Sequence, residues 1–334
     1  MTWVIKNEYC INFQRKTFLA IIILILTFTA CGKKSGNFAL NIGALNGPGG
    51  LSLVKIMDDN YANGGSRTEN YIIKNDPELI KAMMIREEVD LALIPFTMAA
   101  LLYNNGFRYQ LLGVPIWGSL FLVGSDSSIS TIEDLKGKTV HTLPHNTTPD
   151  IIFRHILSES DINPDKDLDL KYTFPTPIEL SSALEANRIQ MGLLPEPMVS
   201  RILNKNPSLF VLFDLTEKWD ELYHQNPRLA QTALMVRTSW AKENPDMLMK
   251  WCEKYSDAIN WTNIHTREAG LLAVEHNIAR DAEITSKAIP RCQMNFEFAT
   301  DEKEELMNYL RLLHSINNKI VGNRIPDEEF FYSK

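Results

Sequence analysis

Short unbroken apolar runs alternate along the chain with stretches whose apolar residues recur at helical spacing, and one such combination occurs twice. Glu78-Leu79-Ile80-Lys81-Ala82-Met83 leads into Val89-Asp90-Leu91-Ala92-Leu93-Ile94-Pro95, and further along Glu179-Leu180-Ser181-Ser182-Ala183-Leu184 leads into Ile189-Gln190-Met191-Gly192-Leu193-Leu194-Pro195. Each copy predicts a helix feeding a buried strand that ends at proline. A strand apolar on both faces belongs in a parallel sheet covered on both sides. Further strands are expected at Phe38–Leu45, Tyr109–Val114, Leu120–Gly124, Thr139–Thr142, Leu209–Phe213 and Thr232–Val236. From Ser239 the pattern turns helical, over Pro245–Thr262, Arg267–His276, Ala282–Ala288 and Thr300–Asn317. The expected fold is α/β and two-lobed, each lobe a mostly parallel sheet flanked by helices, with a helical C-terminal region.

The amino terminus follows a different pattern. Lys6, Arg15 and Lys16 precede an apolar run from Thr17 to Ala30, followed by Cys31 and Gly32. The run is short for a helix spanning a hydrocarbon core of roughly 30 Å, and with small residues at its end it reads as a signal peptide over 1–30. Phe28-Thr29-Ala30-Cys31 resembles a bacterial lipobox, with Phe28 where leucine is usual. That resemblance implies lipidation of Cys31, a tether over 31–36 and a protein held on a bacterial membrane, facing the periplasm or the cell exterior. A plain signal peptide or short membrane anchor is the alternative.

Composition narrows the partners. The formal net charge of −7 includes a basic leader, so the remainder is more acidic still, which argues against nucleic acid as a partner. Beyond the leader and Cys31 only Cys252 and Cys292 remain, with no Cys-x-x-Cys spacing, so no metal or other cofactor is expected. The two thiols either pair or sit apart.

The repeated units, Ile132-Glu133-Asp134-Leu135-Lys136-Gly137-Lys138, Pro195-Glu196-Pro197 and Ala241-Lys242-Glu243-Asn244-Pro245 together resemble the substrate-binding proteins of ABC importers. The nearest branch binds sulfonate, taurine, nitrate, riboflavin or thiamine pyrimidines, and the likeness runs from about Phe38 to Asn317. It implies the type II periplasmic binding fold, with lobe one over 37–125 plus 238–334 and lobe two over 126–237. It also implies a monomer that takes a small-molecule ligand in the cleft and hands it to a permease and ATPase complex.

Ligands of open α/β sheets sit beyond the carboxyl ends of strands, where loops meet helix amino termini, and this selects the candidate residues. In Asn46-Gly47-Pro48-Gly49-Gly50, Asn46, Gly47 and Gly49 offer close backbone approach, without the lysine of a P-loop. Phe96 offers an aromatic wall, Thr97 a hydroxyl and helix cap, and Trp117 either a stacking surface or a lid over the core. His145, Asn146, Thr147 and Thr148 form a helix start, with Thr148 as cap and Pro149 at the first helical position. Glu196 either faces the ligand or stabilises its loop by a salt bridge. Aromatic residues with one acid favour a nitrogen-bearing ring or an amine over a sulfonate. No nucleophile with its base, triad or cysteine-rich cluster is present, so no enzyme is expected. An enzyme on the same fold, or a sensing lipoprotein without transport, are the alternatives.

Overall fold

The computed structural model describes residues 40–62, 68–224 and 226–333. The leader 1–30, Cys31 and the tether 31–36 lie outside the described residues, as does the beginning of the strand expected from Phe38. In chain order the strands are β1 (Leu40–Leu45), β2 (Glu69–Lys74), β3 (Leu91–Pro95), β4 (Tyr109–Ile116), β5 (Leu120–Gly124) and β6 (Thr139–His141). There follow β7 (Asp169–Lys171), β8 (Met191–Pro195), β9 (Phe210–Asp214), β10 (Thr232–Arg237) and β11 (Met294–Phe298). The helices of the first two thirds are α1 (Pro48–Leu51), α2 (Val54–Ala62), α3 (Pro77–Ile85), α4 (Phe96–Asn104), α5 (Thr148–Glu159), α6 (Pro177–Glu185), α7 (Met198–Lys205) and α8 (Leu215–Tyr223). The remainder holds α9 (Thr238–Glu243), α10 (Pro245–Ile264), α11 (Thr266–Glu275), α12 (Ala282–Ala288) and α13 (Lys303–Ile316).

Two sheets result, ordered β11-β4-β10-β3-β1-β2 and β7-β6-β8-β5-β9. Leaving aside the edge strand β11, the two orders are the same. Each sheet has three parallel strands, then one antiparallel strand that has just arrived from the other sheet, then a fourth strand of its own. The repeated units of the sequence occupy equivalent places in this scheme, α3 leading into β3 and α6 into β8. Both helices start in the same way. The Asp76 carboxylate accepts from Glu78 N at 2.9 Å ahead of Pro77, and Thr176 forms a reciprocal capping box with Glu179 ahead of Pro177.

Strand pairing alters the lobe boundaries expected from the sequence. Leu120–Gly124 pairs with β8 and β9, and Thr232–Arg237 pairs with β3 and β4. The chain therefore passes between sheets at 117–119 and again at 226–231, upstream of the expected boundaries 125/126 and 237/238. Both incoming strands are as apolar as their neighbours, so local pattern cannot say which sheet they join. The C-terminal region is helical as expected, except that β11 interrupts it and pairs with β4 across a bulge between Met294 and Glu297. Gly113 permits that approach, since a Cβ there would lie 2.5 Å from the Glu297 carbonyl oxygen.

One face of the larger sheet packs Leu51, Leu53 and Ile56 with Trp251 and Tyr255 of α10. Cys252 and Cys292 are buried thiols in the same layer. The other face packs Ile80, Phe96 and Tyr309, and this apolar layer continues through Trp117, Leu229 and Ala230 at the crossings to Leu122, Phe153 and Trp219 of the second lobe. Among the described residues no helix is long and apolar enough to cross a membrane.

Candidate functional site

The strand ends of the two sheets face each other, and the segments that leave them make the contacts between lobes. Helix α4 starts directly from β3 at Pro95, and α5 starts at Thr147 after the loop from β6; no side chain caps either helix. The hydroxyls of Thr97, in the first turn of α4, and Thr148, which opens α5, meet at 2.8 Å. The first amides of a helix lack intrahelical partners and carry the positive end of its dipole. Two such termini meet here from opposite lobes; the Phe96 amide is taken by the Gln231 carbonyl and Pro149 has no N–H, so the two hydroxyls and the remaining first-turn amides are the donors that an anion could use.

Thr148 is thus the first residue of α5 and a contact between lobes, while Thr147 stands at the cap position with its hydroxyl turned onto the Pro144 carbonyl at 2.7 Å. The acid in this first turn is occupied elsewhere. Asp150 is 1 % exposed and accepts from Asn146 N at 2.8 Å and from the Tyr172 hydroxyl at 2.8 Å, with His145 Nδ1 at 3.0 Å. His145 and Asn146 therefore shape the loop, and Asn146 also accepts across the cleft from the Asn317 amide at 3.0 Å.

Around the β1 loop, the Asn46 side-chain oxygen accepts from Gly47 N at 2.9 Å and its amide donates to Asn75 at 3.1 Å. Gly47 has φ +119°, a value suited to glycine, and its α-carbon faces Glu196 of the other lobe, whose carbonyl oxygen would lie 3.9 Å from a Cβ at 47. Gly49 is buried against Leu93 and takes the Ser52 hydroxyl on its carbonyl at 2.7 Å.

Three of the candidate residues are packed or paired. Phe96 is fully buried against Tyr309, with ring centroids 5.4 Å apart, because the first residue of a helix leaving a central strand points into the layer beneath the sheet. Trp117 is 6 % exposed, donates from Nε1 to the Asn295 carbonyl at 3.0 Å and lies under the Arg228 guanidinium, so it belongs to the crossing and not to a cleft wall. Glu196 takes its salt-bridge role. Its carboxylate accepts from Ser200 N at 3.1 Å and Ser200 Oγ at 2.9 Å, and Arg291 of the other lobe stands 3.6 Å from it and 3.2 Å from Ser200 Oγ. Burial raises the Glu196 pKa, more than Ser200 and Arg291 lower it.

Four side-chain oxygens that sequence reasoning missed lie at the strand ends or crossings, buried and without a hydrogen-bonding partner: those of Ser119, Thr142, Thr216 and Gln231. Gln231 is held at the base of α4, its backbone N donating to the Ile116 carbonyl at 3.0 Å and its carbonyl accepting from Phe96 N at 2.9 Å. Buried groups of this kind cost free energy until something hydrogen-bonds them. None belongs to a motif; their only signal is a hydroxyl or amide directly beside an apolar strand. Among the described residues no cluster of three or more His, Cys, Asp or Glu could hold a metal ion.

Comparison with known proteins identifies the scaffold. The chain matches a family whose model is described as ABC transporter, phosphonate, periplasmic substrate-binding protein, over residues 65–242. No curated protein matches. Among solved structures, an ABC transporter protein from Parabacteroides distasonis is 27 % identical, with a TM-score of 0.75, covering 89 % of this chain and 100 % of that one. The periplasmic aliphatic sulphonate-binding protein SsuA from Escherichia coli shares the fold at 14 % identity, with a TM-score of 0.69 and coverage of 88 % and 92 %. The alkanesulfonate-binding protein SsuA from Xanthomonas axonopodis pv. citri, solved bound to MOPS, does so at 14 % and 0.63, with coverage of 87 % and 95 %. With its two like sheets, its facing strand ends and a match over more than half its length, this chain belongs to the phosphonate-type family of periplasmic substrate-binding proteins of ABC transporters.

Proposed function

We propose that this protein captures a small oxyanion of the phosphonate or sulfonate class between its lobes and delivers it to an ABC permease and ATPase complex, acting as a monomer tethered by a lipid on Cys31. The observation that carries the ligand class is the convergence of the α4 and α5 amino termini, with the Thr97 and Thr148 hydroxyls 2.8 Å apart. Helix amides and hydroxyls are donors, and donors suit an anion. Reading the site for a nitrogen-bearing ring or an amine required Phe96, Trp117 and Glu196 to face the ligand. The first two are packed in the core and the third is bonded to Ser200, which leaves the donor groups to decide. The sulphonate- and phosphonate-binding names of the relatives support the same class.

Capture works by linkage. Groups from both lobes meet only when the cleft is shut, so a ligand that bonds to both shifts the open and closed populations toward the closed shape that a permease recognises. Calorimetric titration with methylphosphonate, inorganic phosphate, ethanesulfonate, riboflavin and a thiamine pyrimidine tests the ligand class. Saturable binding of at least one oxyanion is expected, and binding confined to the ring compounds would overturn it.

The lipid anchor keeps the trap at a high effective concentration near its permease. A Cys31→Ser variant is expected to leave the membrane fraction and to lose incorporation of labelled fatty acid. Retention of that variant on the membrane would show that the leader is the anchor.

A further inference from the structure

The two segments that pass between the lobes are both fastened to lobe one, and by the same side chain. Arg228, in the second crossing, donates from its backbone N to Glu305 at 2.6 Å and from Nε to the same carboxylate at 3.0 Å. Its Nη1 and Nη2 reach Glu297 at 3.1 and 2.8 Å, and Nη2 also reaches Glu302 at 3.0 Å and Glu305 at 2.8 Å. Glu297 is on β11, Glu305 is in the first turn of α13 and Glu302 immediately precedes that helix, all in lobe one. The Cζ of the same guanidinium stands over the Trp117 ring, 3.9 Å from its centre, in the first crossing. Trp117 is itself bonded to the strand region, N to the Gln293 carbonyl at 3.2 Å and Nε1 to the Asn295 carbonyl at 3.0 Å.

On the side of lobe two the same segments are held more lightly. Among the described residues two neutral bonds tie the second crossing to that lobe, from Trp219 Nε1 of α8 to the Pro227 carbonyl at 2.7 Å and from Asn226 N to the Tyr223 carbonyl of the same helix at 3.0 Å. The positive-φ residues lie on this side of the clamp, Gly118 at +133° and Ser119 at +84° in the first crossing and His224 at +51° ahead of the second. Hydrogen bonds to charged partners are roughly twice as strong as neutral ones. The balance therefore ties Trp117 and Arg228 to lobe one and leaves the positive-φ residues between them and lobe two.

We propose that Arg228 is the positioning residue of lobe closure: it locks both crossing segments to lobe one, so that lobe two turns about Gly118–Ser119 and His224 and the Thr97 and Thr148 termini meet in one register. A guanidinium suits this task, because its fork engages three carboxylates while its charge sits over an indole ring. With Arg228 gone, Glu297, Glu302 and Glu305 repel one another and the crossings lose their common support. The proposal rests on closure of the lobes as the mode of capture, and the experiment separates the two.

Spin labels at Leu79→Cys in α3 and Ile178→Cys in α6, both half exposed, report the distance between lobes, in a Cys10→Ser, Cys31→Ser background that leaves the buried Cys252 and Cys292 unlabelled. Without ligand, Arg228→Met is expected to at least double the width of the distance distribution relative to the parent while circular dichroism stays native. Arg228→Lys, which keeps the charge but not the fork, is expected to fall between. A width unchanged in Arg228→Met overturns the proposal. Should that variant fail to fold, Glu302→Gln and Trp117→Phe each remove one attachment and are expected to broaden the distribution by a smaller factor, and unchanged widths in both would equally overturn it. Adding methylphosphonate to the parent tests closure itself through a shift of the mean distance, which is read independently of the width in the absence of ligand.

Discussion

Replacing Gly118 with alanine is expected to cost about 3 kcal/mol of folding stability, seen as a lowered denaturation midpoint with an unchanged slope. Two effects add. The residue sits at φ +133°, where any side chain is strained, and a Cβ there would lie 2.2 Å from Thr216 Oγ1 and 2.9 Å from Thr216 Cγ2. Thr216 cannot retreat cheaply, because it is buried in the first turn of α8 with its backbone N bonded to the Asp214 carboxylate at 2.8 Å. Gly137 supplies the control. It too has positive φ, +76°, but a Cβ added there would meet nothing within 4 Å, so Gly137→Ala is expected to show the strain alone, about 1 kcal/mol. Equal losses at the two positions would show that the crossing has room to adjust.

The second large effect concerns the ligand. Thr97→Val and Thr148→Val keep shape but remove the hydroxyls that meet across the cleft. Each single substitution is expected to weaken oxyanion affinity about tenfold, equivalent to roughly 1.4 kcal/mol, because it removes a donor and strands its former partner. The double variant is expected to lose less than the product of the singles, because the stranded partner is removed with it, and a double-mutant cycle measures that coupling. Calorimetry with methylphosphonate and with ethanesulfonate provides the readout. Affinities unchanged in all three variants would remove the two helix termini from the site.

The loops from which the proposed site is built were more legible in the sequence than the partners of their side chains. Loops at strand ends follow from local pattern, and contacts between the lobes fall on several of them, Gly47 facing Glu196, Thr97 meeting Thr148 and Asn146 bonded to Asn317. What each side chain does there depends on partners far along the chain. Glu196 reads equally as a ligand group or a salt-bridged acid until Arg291 and the burial of the loop are known, and Trp117 equally as a stacking surface or a lid over the core until Asn295, 178 residues away, takes its Nε1 hydrogen. The orphaned oxygens of Ser119, Thr142, Thr216 and Gln231 carry no sequence signal, because being unpartnered is a property of the surrounding packing.

The sequence by itself determined the repeated helix-strand unit, the apolar strands and the helical C-terminal region, since each depends on periodicity within a dozen or so residues. Only the tertiary structure decided where the chain changes lobe. Leu120–Gly124 and Thr232–Arg237 are apolar runs that would suit either sheet, and the choice is made by hydrogen-bonding to strands distant in the chain. The same holds for Arg228, an ordinary loop arginine in sequence. Its three glutamates lie 69 to 77 residues further on, so its place between the lobes comes from long-range pairing that no local pattern encodes.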